Sequence, residues 1–263
     1  MSRIDSAACA GLIEPLTAIA IAAAEAIRHT QGDGGVNIKA DGSPVTAADE
    51  ASDAVIIEGL KRVAPDVPVI SEESGHASSG GERSSYFLVD PLDGTREFIA
   101  GIAEYTVNIA ILTDGVPLLG VIAAPAQNVI WRGIVGRGAE RLSYAAQGAS
   151  APQSIRARPR PQDELVVMVS RSHLEARTQA YLDGFPRTRR IGCGSSVKFC
   201  RIAEGAADLY PRLAPTHDWD IAAGHAILVA AGGSVVAPEG GAVAYGSPEL
   251  LIPSFIAWGG PPA

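Results

Sequence analysis

Cysteine is scarce, with only Cys9, Cys193 and Cys200 in 263 residues. An odd number without a CxxC spacing excludes a disulfide framework and a zinc knuckle, and leaves buried thiols as the ordinary role. Positive charge is also short: 21 Lys and Arg stand against 29 Asp and Glu, for a net charge of −8. Polymeric nucleic acid is therefore not expected as a partner, because such binding needs clustered cations against phosphates. A small phosphorylated substrate remains open, since a few placed cations make a locally positive pocket in an acidic protein. Long apolar runs are missing as well. Leu16 to Ile27 is the most apolar stretch, but Glu25 interrupts it and it reads as too short to cross a bilayer. The N-terminus lacks the basic-then-apolar layout of a signal peptide. The expectation is a soluble, cytoplasmic protein with no transmembrane segment, any membrane association being peripheral at the inner face. Repeats and low-complexity tracts are absent too. What remains is a chain of 47% hydrophobic residues, long enough to bury a sizeable core as one large domain or two closely packed lobes.

Hydrophobic patterning divides the chain into elements. Leu12 to His29 is Ala- and Ile-rich and predicts a helix ending in a loop that holds Gly32, Gly34 and Gly35. Pro44 to Val63 predicts a second helix, with Pro44 in its first turn and Val45, Ala48, Val55, Ile56 and Leu60 as the apolar stripe. Short apolar runs at 67–70, 86–89, 105–112, 118–123 and 129–135 predict strands of a meandering sheet, with Asp114-Gly115 as one turn. Residues 149–162, with three prolines and three arginines, read as a connection between lobes. The first lobe is then 1–150 and the second 151–263. In the second, 165–170, 234–236 and 255–258 read as strands, and 173–182, 195–204 and 219–231 as helices.

The chemistry is concentrated in carboxylates. Asp90-Pro91-Leu92-Asp93-Gly94-Thr95 follows an apolar strand. Pro91 fixes φ and Gly94 permits a tight turn, so both carboxylates and the Leu92 carbonyl can converge, an oxygen set that suits Mg²⁺. The other reading is an acidic turn in which Asp90 and Asp93 cap the next segment. Glu72-Glu73 also follows a strand and Asp220 opens a helix; taken singly these read as a solvated turn and an N-cap. Thr46 and Asp49 taken alone read as first-turn capping.

Together, Asp41 to Asp49, Ile70 to Ser74, Asp90 to Thr95 and Trp219 to Gly224 resemble the inositol monophosphatase superfamily in order and spacing over most of the chain. The resemblance implies a mixed α and β fold, a layered αβαβα sandwich with its metal site between the lobes. It implies Glu72, Asp90, the Leu92 carbonyl, Asp93 and Asp220 as metal ligands, with Glu73 passed over. Thr95 and Asp49 are implied as the catalytic pair that orients and deprotonates a metal-activated water for in-line attack on phosphorus, without a covalent phosphoenzyme. The implied cofactor is Mg²⁺, two or three ions, with sensitivity to Li⁺. The oligomeric state stays open, a homodimer being one expectation.

Residues 96–98 (Arg-Glu-Phe), 194–200, 203–205 and 209–212 resemble the 3′(2′),5′-bisphosphate nucleotidase branch. Its usual residue at position 96 is Lys, so Arg96 keeps the charge and changes its shape. The implied reaction removes the 3′-phosphate of adenosine 3′,5′-bisphosphate, a by-product of sulfate assimilation or sulfonation. Candidate substrate contacts are Gly94, Thr95, Ser195, Ser196, Lys198 and Arg212. Ser195 and Ser196 are expected to open a helix whose N–H groups meet phosphate, with Lys198 and Arg212 neutralising the 5′-phosphate; helix capping by Ser195 and surface solvation of Lys198 stay open. Arg171 and His173 are weaker candidates for the nucleotide. Three rivals are inositol monophosphatase or fructose-1,6-bisphosphatase activity at the same site, a noncatalytic module sensing nucleotide or Mg²⁺, and a Ca²⁺-binding structural protein. The last lacks EF-hand spacing.

Overall fold

The computed structural model describes residues 3–30, 35–39, 42–76, 84–145, 148–171 and 175–261. Helix α1 (Ser6–His29) starts six residues before the predicted one because Asp5 caps it, its Oδ1 accepting from the N–H groups of Ala7 and Ala8. The helix runs through Pro15, which cannot donate to the carbonyl of residue 11. Its 24 residues are long and apolar enough, by length and composition alone, to cross a membrane, a test that the core helix of a soluble protein also passes. Here one face is buried: Leu16, Ala20, Ala23, Ala24 and Ile27 are sealed off. A buried guanidinium, Arg132, donates to Thr17 Oγ1 at 3.0 Å and pairs with Glu14.

Two short strands, β1 (Asn37–Ile38) and β2 (Pro44–Val45), form a hairpin before α2 (Ala47–Val63). Pro44 therefore belongs to a strand rather than to the helix's first turn. The helix begins later because Thr46 and Asp49 form a reciprocal capping box. A nine-stranded sheet follows: β3 (Val69–Ser71), β4 (Gly75–His76), β5 (Ser85–Asp93), β6 (Thr106–Thr113), β7 (Val116–Ala124), β8 (Val129–Ile134), β9 (Gly138–Ala145), β10 (Gly148–Ala149) and β11 (Gln153–Ile155). From β5 to β8 it is the expected antiparallel meander, which β9 extends by a strand the sequence did not show, while β3 pairs parallel to β5. Because β11 pairs with β9, part of the expected connection belongs to this sheet. Between β5 and β6 lies α3 (Thr95–Ile99).

The second sheet is built from β12 (Leu165–Ser170), β13 (Thr188–Cys193), β14 (Leu209–Arg212), β16 (Ser234–Val236) and β18 (Phe255–Trp258) in the order β13-β12-β14-β18-β16, while β15 (Thr216–His217) pairs with β17 (Leu251–Ile252). Its helices are α4 (Ala176–Asp183), α5 (Val197–Ala203) and α6 (Asp218–Ala230). Strand periodicity sorts alternate side chains into separate cores. Phe87, Val89, Val107, Ile109 and Val121 face α1 and α2; Tyr86, Leu88, Ala110 and Ile122 face α5 and α6. On β12, Val166 and Met168 join that middle core, whereas Val167 and Val169 meet Leu182 of α4 on the far side. Three cores between five layers make the αβαβα sandwich.

The middle helix decides the geometry. α6 packs on β5, β6, β7 and β8 and is apolar nearly all round, as a helix buried between two sheets must be. Small residues let it approach. A Cβ on Gly120 would sit 2.2 Å from the Ala223 carbonyl oxygen, a backbone atom. We expect Gly120→Ala to push α6 off the sheet and to cost about 2 kcal/mol or more, read as a fall in Tm of roughly 4–8 °C by calorimetry. A shift under a degree would contradict this packing.

Candidate active site at the junction of the sheets

As expected, the carboxylates of the segment at 90–95 lie at the C-terminal end of a strand: β5 runs on through Asp93, past the Val89 limit read from the sequence. Asp90 pairs across from Asn108 and Asp93 from Thr106, with a register shift between them. That irregularity sets Pro91 and Leu92 opposite the single residue Val107, one extra residue that bows out of the ladder. Leu92 N–H donates to Asp90 Oδ1 at 3.0 Å, and Ser52 holds the Pro91 carbonyl at 2.7 Å. Gly94 then turns the chain with φ 93°, and a Cβ there would lie 3.0 Å from the Glu104 carbonyl. Only glycine meets both demands.

Thr95 opens α3 and its hydroxyl reaches Asp49 Oδ1 at 3.0 Å and the Leu92 carbonyl at 3.1 Å. The other Asp49 oxygen is held at 2.7 Å by both the N–H and the hydroxyl of Thr46. The capping role and the contact to Thr95 thus coexist, one oxygen for each. Burial raises the Asp49 pKa, opposed by the hydrogen bonds from Thr46 and Thr95.

The carboxylates named in the sequence lie within electrostatic reach of one another. Asp90, 1% exposed, is raised well above the usual carboxylate range by burial, then by Glu72, Asp93 and Asp220. Burial and the neighbouring Asp220 push Asp93 to about 6. Glu72 is pushed to about 7 by burial, against the pull of Lys39. Among the described residues no three His, Cys, Asp or Glu side chains stand closed up as a ready cage for a metal ion. The carboxylates have protein partners instead. Lys39 Nζ bridges Glu72 (2.9 Å) and Glu73 (2.6 Å); Ser196 Oγ donates to Asp93 (2.8 Å); Thr216 and the His217 N–H (3.0 Å) hold Asp220. Repelling acids in an all-oxygen set, raised in pKa by one another, fit a hard divalent cation.

An adjoining pocket of about 190 Å³ is lined by Asp93, Thr95, Arg96, Ser195, Lys198 and Arg212 among others. Residues 195 and 196 precede α5 rather than opening it, Ser195 sitting in the left-handed region at φ 48°. Lys198 is not a solvated surface residue. It is 4% exposed, donates to the carbonyls of Ser195 (2.5 Å) and Cys193 (3.2 Å), and lies 5.1 Å from the Tyr210 ring centre. Arg212 donates to the Pro215 carbonyl, while its buried Nε finds no acceptor among the described residues. Arg171 is engaged by Glu104, which also accepts from the Gly194 N–H at 2.7 Å. His173 and Asp41 lie outside the described residues. The sequence reading passed over Lys39, Asn108, Glu104 and Thr216. Lys39, Asn108 and Glu104 come from elements remote in sequence, whereas Thr216 lies four residues before Asp220 and reaches it locally.

The fold is that of a family of metal-dependent phosphatases. The chain belongs to the inositol monophosphatase family, which it matches over residues 10–259. It is 45% identical over 194 residues to the 3′(2′),5′-bisphosphate nucleotidase CysQ of Escherichia coli K12, covering 73% of this chain and 75% of that one. It is also similar to the crystal structure of CysQ from Bacteroides thetaiotaomicron, with TM-score 0.78 and 34% identity over 93% of this chain and 96% of that one. An inositol monophosphatase from Anabaena matches with TM-score 0.76 at 25% identity, covering 96% and 92%.

A pH dependence follows for the metal-free protein. Acids whose folded pKa lies above the unfolded value favour folding below the unfolded value and lose that contribution as pH rises to the folded one. For Glu72 this window runs from 4.5 to about 7, and for Asp93 from 3.8 to about 6. The Tm in EDTA is expected to fall as pH rises from about 4 to 7, and millimolar Mg²⁺ to cancel the fall. A flat profile, or one unmoved by Mg²⁺, would contradict the mutual repulsion.

Proposed function

We propose that this chain is a Mg²⁺-dependent 3′(2′),5′-bisphosphate nucleotidase that hydrolyses the 3′-phosphate of adenosine 3′,5′-bisphosphate to AMP and phosphate. The observation that carries this reading is the Thr95–Asp49 hydrogen bond beside the buried carboxylates, in a chain similar over most of its length to proteins named for that activity. Binding of metal alone does not require such a pair. Glu72, Asp90, Asp93, Asp220 and the Leu92 carbonyl would hold the ions, two or three Mg²⁺. Bound Mg²⁺ lowers the pKa of a water and screens charge on the phosphoryl and leaving oxygens. Thr95 Oγ1 accepts a proton from the attacking water as its own passes toward Asp49 Oδ1, which the Thr46 contacts leave free for it. The water oxygen bonds to phosphorus as the bond to O3′ breaks; the departing O3′ takes a proton from solvent water, and the proton passed to Asp49 returns to solvent. Arg212, with donor capacity to spare, faces the second phosphate across the pocket, and Lys198 contributes positive charge from below. We place the enzyme in the cytoplasm, working on a by-product of sulfate assimilation or sulfonation, and treat residues 1–150 and 151–263 as two lobes of one unit.

Asp49→Asn and Thr95→Ala are expected to lower kcat by about 10²–10⁴ while leaving KM nearly unchanged, because the pair acts on the proton in flight. Phosphate release from adenosine 3′,5′-bisphosphate, myo-inositol 1-phosphate and fructose 1,6-bisphosphate tests the substrate, with Asp93→Asn as the blank. A kcat/KM for the nucleotide at least about tenfold above both others, or roughly 1.4 kcal/mol, is expected. Preference for a sugar or inositol phosphate would keep the chemistry and overturn the substrate. No turnover above the blank would favour a noncatalytic module.

A further inference from the structure

Ser196 is 2% exposed and its hydroxyl stands at a crossing of the two sheets. Asn108 Nδ2, from β6, donates to Ser196 Oγ at 2.8 Å. The single hydroxyl proton is then aimed at Asp93 Oδ2 (2.8 Å), with the Asp220 main-chain carbonyl (2.9 Å) as its alternative acceptor. One oxygen therefore touches the last residue of β5 and the first turn of α6. Asn108 is itself the cross-strand partner of Asp90. Its Oδ1 is buried without a hydrogen-bond partner among the described residues, so the orientation that donates to Ser196 leaves that acceptor unsatisfied there. The reverse orientation would draw the serine proton to the amide and take it from Asp93. Leaving a buried acceptor unpaired is unfavourable, so the placement favours the donation to Ser196.

We propose that Ser196, oriented by Asn108, is a positioning residue for the cation site rather than a contact to the substrate. It fixes the Asp93 carboxylate and the start of α6 against each other, so that Asp93 and Asp220, carried by different elements, present their oxygens at a set separation. This rests on the reading of those carboxylates as cation ligands. Hydrogen bonds to ligating carboxylates orient them, and their loss typically weakens metal binding 10- to 100-fold. Substrate contact would require the hydroxyl to leave acceptors that already take its proton.

The test is calorimetric titration of the full-length protein with Mg²⁺, alongside steady-state kinetics on adenosine 3′,5′-bisphosphate at saturating Mg²⁺ and the Tm in EDTA. Ser196→Ala is expected to weaken Mg²⁺ binding at least about tenfold and to leave KM for the nucleotide within about twofold, with Tm in EDTA a few degrees lower because Asn108 Nδ2 loses its acceptor. Asn108→Ala, which keeps the hydroxyl and removes its donor, is expected to act in the same direction. The double variant should be no weaker than Ser196→Ala, since both act through one contact. If Ser196→Ala does not fold, Asn108→Ala supplies the reading. Unchanged Mg²⁺ affinity overturns the proposal, and so does a raised KM at unchanged affinity, which would make Ser196 a substrate contact. A wild type that binds Mg²⁺ without hydrolysing the nucleotide defeats the substrate assignment alone, because the binding readout does not depend on it.

Discussion

Repulsion among buried carboxylates is the constraint to which the rest of the structure answers. Asp90, Asp93 and Glu72 all have raised pKa values, first because they are buried and then because other acids stand nearby. Left alone, such a group would neutralise or spread apart. Instead it is held from several sides: the β5 irregularity and Ser52 fix Asp90 and the Pro91 carbonyl, Ser196 holds Asp93, and Thr216 holds Asp220. Lys39 supplies one protein cation to Glu72 and Glu73. The scaffold thus keeps negative charge concentrated where a divalent cation and a phosphate can be brought together.

Holding acids from both halves of the chain in register demands a stiff joint, which the middle helix supplies. α6 begins with Asp218 and carries Asp220 in its first turn, and its remaining length is wedged between two sheets. The close approach at Gly120 and Ala223 means that the position of Asp220 is set by backbone packing rather than by a loop. The Glu104 contacts to Arg171 and Gly194 make a second tie across the pocket wall. Position and packing are therefore coupled: a change that lifts α6 also moves the Asp220 carboxylate.

Much of this was legible in the sequence where the determinants are local. Asp90 to Thr95 announces itself because the tight turn needs its Pro and Gly beside its carboxylates, and α2 carries the Thr46 and Asp49 signal at its start. The meander was readable because β5 to β8 are continuous apolar runs. Other parts were hidden for physical reasons. β13 is an edge strand rich in exposed arginine, β14 contains Pro211, and β9 alternates too weakly to stand out. Lys39, Asn108 and Glu104 reach the site from elements remote in sequence, so no spacing rule could find them. Lys198 and Ser195 were visible as residues but not as geometry, since nothing local foretold a lysine folded back onto carbonyls beneath the pocket.

The most direct test of the central claim is to locate the cations themselves, by anomalous diffraction from crystals of the wild-type protein grown with Mn²⁺. The account predicts peaks bounded by Glu72, Asp90, Asp93 and Asp220, with Lys39 displaced from Glu72. Crystals holding Mn²⁺ elsewhere while these carboxylates keep their protein partners would contradict it.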